Sequence, residues 1–196
     1  MKKRIFLVVC YTLCLTVNAC FAQWKFRSDN YLGLSSGEWG NSGLIQTING
    51  LYKGPWFLGL GAGLDNYRFR SIPLFLSLTR DLPAFSKRRG LFVDLDGGTN
   101  LPWYTRTLSP YDGFTSSKFY PGPWWSASLG YRWKLSAQTR KALLLSAGYG
   151  MKKLREDLTG PSASTCYNSS ACNAGPQTYI CEYLSRTLFF RIGFNL

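Results

Sequence analysis

The last nine residues alternate without a break. Leu188, Phe190, Ile192, Phe194 and Leu196 fall on one side of an extended backbone, and Phe189, Arg191, Gly193 and Asn195 on the other. Successive side chains of a strand point to opposite faces, so a period of two specifies a strand and excludes a helix. The same period recurs upstream. Trp125, Ala127, Leu129, Tyr131, Trp133 and Leu135 oppose Ser126, Ser128, Gly130, Arg132 and Lys134. Trp56, Leu58, Leu60, Ala62 and Leu64 oppose Phe57, Gly59, Gly61, Gly63 and Asp65, and Ile72, Leu74, Leu76 and Leu78 oppose Ser71, Pro73, Phe75, Ser77 and Thr79. Each segment has one bulky apolar face and one face of mostly small or charged groups.

Which face points outward decides the compartment. A soluble lipocalin-like ligand-binding barrel keeps its bulky residues inside and needs a long, solvating outer face. Here the second face is mostly Gly and Ser, which suits a narrow interior, while the Leu, Trp, Tyr and Phe face suits lipid and its interfaces. Eight such segments are predicted, at residues 30–37, 43–52, 55–65, 68–80, 90–101, 122–135, 140–151 and 183–196. Each is near the roughly 9–11 residues that a tilted strand needs to cross a bilayer. The predicted fold is all-β, an eight-stranded antiparallel up-and-down transmembrane β-barrel. The long connections, 102–121 and 152–182, both fall on one side, as extracellular loops do, and an even strand count leaves both termini on the periplasmic side.

The segment before the first strand reads as a leader. Met1-Lys2-Lys3-Arg4 is basic, Ile5 to Leu15 is apolar, and Ala19-Cys20-Phe21-Ala22 supplies small residues. That pattern predicts a signal peptide over 1–22 and a barrel domain over 23–196. The competing reading makes Cys20 a lipidated cysteine. Without Lys2, Lys3 and Arg4 the chain keeps 20 of its 23 basic residues against 10 acidic ones, a charge of +10. For an exported chain this points to outer-membrane lipid and lipopolysaccharide phosphates, and away from nucleic acid. Three cysteines remain, Cys166, Cys172 and Cys181. One loop disulfide among them is expected, leaving one thiol over.

The terminal run from Leu188 to Leu196 resembles the C-terminal signature strand of outer-membrane barrels, although it ends on Leu196 with the nearest aromatic at Phe194. The pattern over about residues 30–196 resembles the small eight-stranded barrels of the OmpX, OmpA-barrel and PorT-like superfamily. The resemblance implies insertion by the barrel-assembly machinery.

Little in the chain suggests catalysis. It has no histidine, the side chain that titrates near neutral pH and serves the hydrolytic barrels as base. No metal site or cofactor is expected. A serine with a lysine base, for example Ser126 or Ser128 near Lys134, is the alternative to serines that simply fill the lumen. The inward charges Asp94, Asp96, Arg132, Lys134 and Arg191 predict a lumenal charge network, with Asp94 or Asp96 meeting Arg132 or Lys134 across neighbouring strands. Trp103, Tyr104, Trp124 and Trp125 predict an aromatic surface at the extracellular end, as membrane girdle or sugar-binding platform. The function expected is that of a non-enzymatic barrel that binds a partner, or part of an envelope protein complex, through its extracellular loops. The alternatives are a narrow channel for small solutes or the soluble barrel.

Overall fold

A computed structural model describes residues 24–83, 86, 88–104, 114–136, 141–160 and 177–196. The expected leader, 1–22, lies outside the described residues. The strands are β1 (Lys25–Gly37), β2 (Gly40–Lys53), β3 (Trp56–Asp65), β4 (Ser71–Asp81), β5 (Arg89–Pro102), β6 (Ser116–Tyr120), β7 (Gly122–Lys134), β8 (Ala142–Gly160) and β9 (Gln177–Asn195). Neighbours pair antiparallel from β1 through to β9, and β9 pairs back onto β1 from Asp29↔Asn195 to Gly37↔Thr187, which closes the barrel.

The wall has eight staves, because β6 and β7 share one. Both pair with β8, but the register slips between Tyr120↔Arg155 and Trp124↔Lys152. The extra residue falls at Pro121, which has no N–H for the ladder, so a β-bulge absorbs it.

Inside and outside follow the alternation. Leu60 is 69% exposed and Leu188 67%, while Arg191 and Glu156 are fully buried. A soluble lipocalin-like barrel would reverse this. On β4 and the residue before it the outward row runs Arg70, Ile72, Leu74, Leu76, Leu78, Arg80, with Arg70 beside Trp103 and Arg80 over Trp56. Ten residues at about 3.3 Å each, tilted by about 40°, rise about 25 Å, the height of an apolar belt in a membrane barrel. Arginine heads against tryptophan rings thus mark both interfaces.

The interior glycines make room for rings. Phe75 faces Gly61, Phe92 faces Gly130, Phe189 faces Gly148 and Tyr31 faces Gly193 across the ladder. A Cβ on Gly61 would lie 2.2 Å from the Phe75 ring, and one on Gly130 2.1 Å from that of Phe92. Each inward ring therefore lies flat over a neighbour's glycine and fills the lumen.

Several predicted boundaries move. The first strand starts at Lys25, not 30, and the fourth at Ser71, not 68, because Tyr67 turns inward and is buried. The larger correction concerns the predicted loops. Residues 116–120 are strand, and β8 and β9 stay paired out to Gly160↔Gln177, so much of 152–182 is ladder. The outward face of β8 changes from Leu145 and Tyr149 to Lys153, Arg155 and Asp157. The strand leaves the membrane there, so its lipid-facing pattern stops although its pairing does not.

Candidate functional site

The middle of the lumen is built around Arg191 of β9. Its Nε donates to Ser146 Oγ at 3.1 Å, Nη1 to Gln46 Oε1 at 2.7 Å and Nη2 to Ser128 Oγ at 2.8 Å. Asp94 Oδ2 lies 3.5 Å from Nη2 and Asp96 Oδ2 3.7 Å from Nη1. Ser128 in turn donates to Asp94 and Ser126 to Asp96 at 2.8 Å. The Tyr31 and Phe189 rings each lie 4.7 Å from the guanidinium carbon. Five strands thus converge on one cation, and charged groups this deep are tolerated because they are paired. Among the described residues Asp94 Oδ1 and Asp96 Oδ1 have no hydrogen-bond donor, and Arg191 is the cation that balances both carboxylates.

The predicted network is regrouped. Arg132 does not meet Asp94 or Asp96; it pairs with Asp81. The register explains this, since Asp94 faces Ser128 whereas Arg132 faces Gly90, four residues and about 13 Å along the strand. Lys134 leaves the network altogether, because it faces Ala142 at the periplasmic rim and is exposed. It lies six residues from Ser128, about 20 Å, so no serine–lysine pair assembles. Two further clusters close the ends of the lumen. Near the periplasm Arg27 pairs with Asp29, which also accepts from Asn195 Nδ2 at 2.6 Å. Near the outside Lys152 donates to Asp65 at 2.9 Å, to Ser71 Oγ at 3.2 Å and to the Phe69 carbonyl at 3.2 Å. Lys152 lies within the predicted loop 152–182, where strand alternation offers no signal for an inward charge. Gln46 was detectable, as a lone amide between Leu44 and Ile48.

The predicted aromatic surface divides. Trp124 is buried and packs inside on Phe75 at 4.7 Å, since it shares the parity of Ser126 and Ser128. Trp125 faces outward against Tyr149. Trp103 and Tyr104 are exposed at the extracellular end, 57% and 42%. There Phe69 gathers Tyr104, Phe119 and Tyr183 at 5.4, 5.1 and 5.0 Å.

Beside them stands Arg68, a non-glycine residue at φ 58°. The Phe69 N–H donates to the Tyr67 carbonyl at 2.7 Å, forming a three-residue turn about Arg68. Tyr67 anchors that turn, its N–H donating to Asp65 and its hydroxyl accepting from the Trp39 N–H, both at 2.8 Å. The strained turn sets the Arg68 guanidinium 3.7 Å from the Trp39 ring and 4.4 Å from that of Tyr183. Partial burial among the rings lowers its pKa from the usual guanidinium value. Beyond the rim β6, β8 and β9 form a projecting blade, pinned by Glu156, which accepts from Ser117 and from Tyr183 at 2.6 Å each. Cys181 lies on β9 of this blade as a free thiol; Cys166 and Cys172 lie outside the described residues.

This architecture defines a class: a small eight-stranded β-barrel with an apolar belt and a plugged lumen, the fold of bacterial outer-membrane barrels. Among solved structures, the chain is similar to the outer membrane protein OprG of Pseudomonas aeruginosa, at 12% identity and a TM-score of 0.58, over 88% of this chain and 93% of that one. It is similar to the N-terminal β-barrel domain of Pseudomonas aeruginosa OprF, at 10% identity and 0.51, over 89% and 98%. It is also similar to the outer membrane protein AlkL, solved in lipid bilayers, at 15% identity and 0.51, over 88% of each chain. At these identities the likeness is one of fold. No protein-family model and no curated protein matches the chain.

Proposed function

We propose that this chain is a non-enzymatic barrel of the bacterial outer membrane that binds an envelope partner through its extracellular blade and rim. One observation carries the reading. β8 and β9 pair over 19 residues each, from Ala142↔Asn195 to Gly160↔Gln177. The unbroken apolar outward run covers Leu143 to Met151 and Leu188 to Leu196, about the length a membrane requires, and beyond it Arg186 and Glu182 alternate with Leu184 and Ile180. The remaining half stands in water, closed against β6 and aimed past the arginine–aromatic rim. A strained backbone and a clamped guanidinium at a rim are features of binding sites, where local stability is given up for a fixed shape.

The experiment is photo-crosslinking in intact cells from a reactive residue at Tyr179, on the blade. An adduct with an envelope component is expected, and Arg68→Ala/Trp39→Ala should abolish it while the barrel still inserts. An inserted barrel that yields no adduct overturns the reading.

Conduction is the second reading. It is disfavoured by Arg191, which is fully buried in a lumen also filled, at successive heights, by Phe75, Phe92 and Phe189. Planar bilayers containing the protein should stay silent; steady unit currents would restore the channel.

A further inference from the structure

The lipid-facing wall carries a polar patch where apolar side chains are expected. On β1 the outward row runs Phe26, Ser28, Asn30, Leu32, Leu34, and on β2 it runs Leu51, Asn49, Thr47, Ile45. The register sets Ser28 beside Asn49 and Asn30 beside Thr47. Below them lie Phe26 and Leu51, 64% and 38% exposed, and above them Leu32 and Ile45, 60% and 53% exposed. Two polar rows are therefore enclosed between two lipid-facing apolar rows, at membrane depth.

The four groups form a chain of hydrogen bonds. Asn49 Nδ2 donates to Thr47 Oγ1 at 3.4 Å, Thr47 Oγ1 to Asn30 Oδ1 at 2.9 Å, and Asn30 Nδ2 to Ser28 Oγ at 3.3 Å. A carboxamide has two N–H donors and two acceptor sites, so this chain leaves capacity over on both asparagines. Hydrocarbon offers nothing to satisfy it. Beside the patch, a shallow depression of about 670 Å³ in the same wall is lined by Thr47, Asn49 and Leu60, by Leu74 and Leu76 of β4, and by the small residues Ala62, Gly97 and Thr99. Small residues of this kind let a second wall approach closely in a membrane.

We infer that the outer face of β1, β2 and β3 is a homodimer interface within the membrane, with the Ser28–Asn30–Thr47–Asn49 patch at its centre. The occupant follows from depth. Both copies of an inserted barrel have the same orientation, so the two-fold axis relating them runs along the membrane normal. That axis keeps every residue at its own height, and polar rows meet polar rows while apolar rows meet apolar rows. Carboxamides are self-complementary, each supplying both donor and acceptor. A lipid chain or an unrelated apolar wall leaves the same groups unsatisfied.

Disulfide trapping in lipid vesicles tests this in a C166S/C172S/C181S background. Asn49→Cys should form a covalent dimer rapidly. Leu129→Cys, 54% exposed on β7 across the barrel, should remain monomeric. Asn30→Leu/Asn49→Leu, which suits lipid better and keeps the heat-modifiable gel shift of a folded barrel, should weaken dimerisation in nanodiscs by about tenfold or more. The inference is overturned if the unsubstituted protein is monomeric by native mass spectrometry in lipid. It is equally overturned if Asn49→Cys cross-links no faster than Leu129→Cys, or joins a different protein in cells.

Discussion

Arg191 is the side chain on which the lumen depends. Replacing it with leucine removes three hydrogen bonds and leaves Asp94 and Asp96 buried without their cation. Breaking a buried ion pair from one side costs about 3–5 kcal/mol, whereas removing all the charges together is often close to neutral. Arg191→Leu should therefore lower the urea midpoint of the barrel in lipid vesicles by that order. Arg191→Leu/Asp94→Asn/Asp96→Asn should recover most of the loss. A single variant as stable as the parent would show that the cluster is not cohesive. Parity alone placed Asp94, Asp96 and Arg191 in the interior, because a charge on the face opposite Leu and Phe has nowhere else to go. Their pairing was not legible, since it depends on how neighbouring staves are staggered. The alternation within one strand carries no information about stagger, and this is why Arg132 was matched with the wrong aspartates and Lys134 was drawn into a lumen that it does not reach. Trp124 illustrates the opposite error: its parity was plain, but a large ring at a strand end suggested a girdle.

At the scale of the strand, alternation alone predicts that the inward glycines suit a narrow lumen, and the structure shows a more specific use. The Phe75 ring occupies the space that a side chain on Gly61 would need. Overpacking of this kind costs typically about 1–3 kcal/mol. Gly61→Ala should destabilise the barrel by that amount, and Phe75→Leu should relieve part of it. In a double-mutant cycle followed by urea unfolding, the pair should be less damaging than the sum of the two single changes. Simple additivity would mean that the ring and the glycine do not compete for space. The blade gives a second expectation. Its contacts lie beyond the belt, so replacing residues 156–181 with a two-residue turn should leave the heat-modifiable gel shift and the urea midpoint nearly unchanged. Collapse of the barrel would make the blade part of the folding core. The blade was hidden in the sequence for a physical reason: a strand in water between Lys153 and Asp157 carries charge on its outer face, and a search for lipid-facing alternation ends where the lipid does.

For the whole molecule the strand count fixes orientation. Connections alternate between the two rims, so Asn66, in the β3–β4 turn, and Lys53, at the β2–β3 turn, must lie on opposite sides of the bilayer. The blade and the Arg68 turn share the Asn66 side, while Trp56, Arg80, Trp133 and Arg89 girdle the other. Translocated loops are the longer ones in outer-membrane barrels, which assigns the Asn66 rim to the exterior. In a C166S/C172S/C181S background, a membrane-impermeant maleimide added to intact cells should label Asn66→Cys and not Lys53→Cys. Breaking the outer membrane should make Lys53→Cys reactive. The reverse pattern would put the blade in the periplasm and end the proposal that it meets partners at the cell surface. Labelling of both sites in intact cells would mean that the chain does not span the membrane. In that event the exposure of Leu34, Leu60 and Leu188 would need another apolar partner, because water alone could not accommodate a belt of such residues.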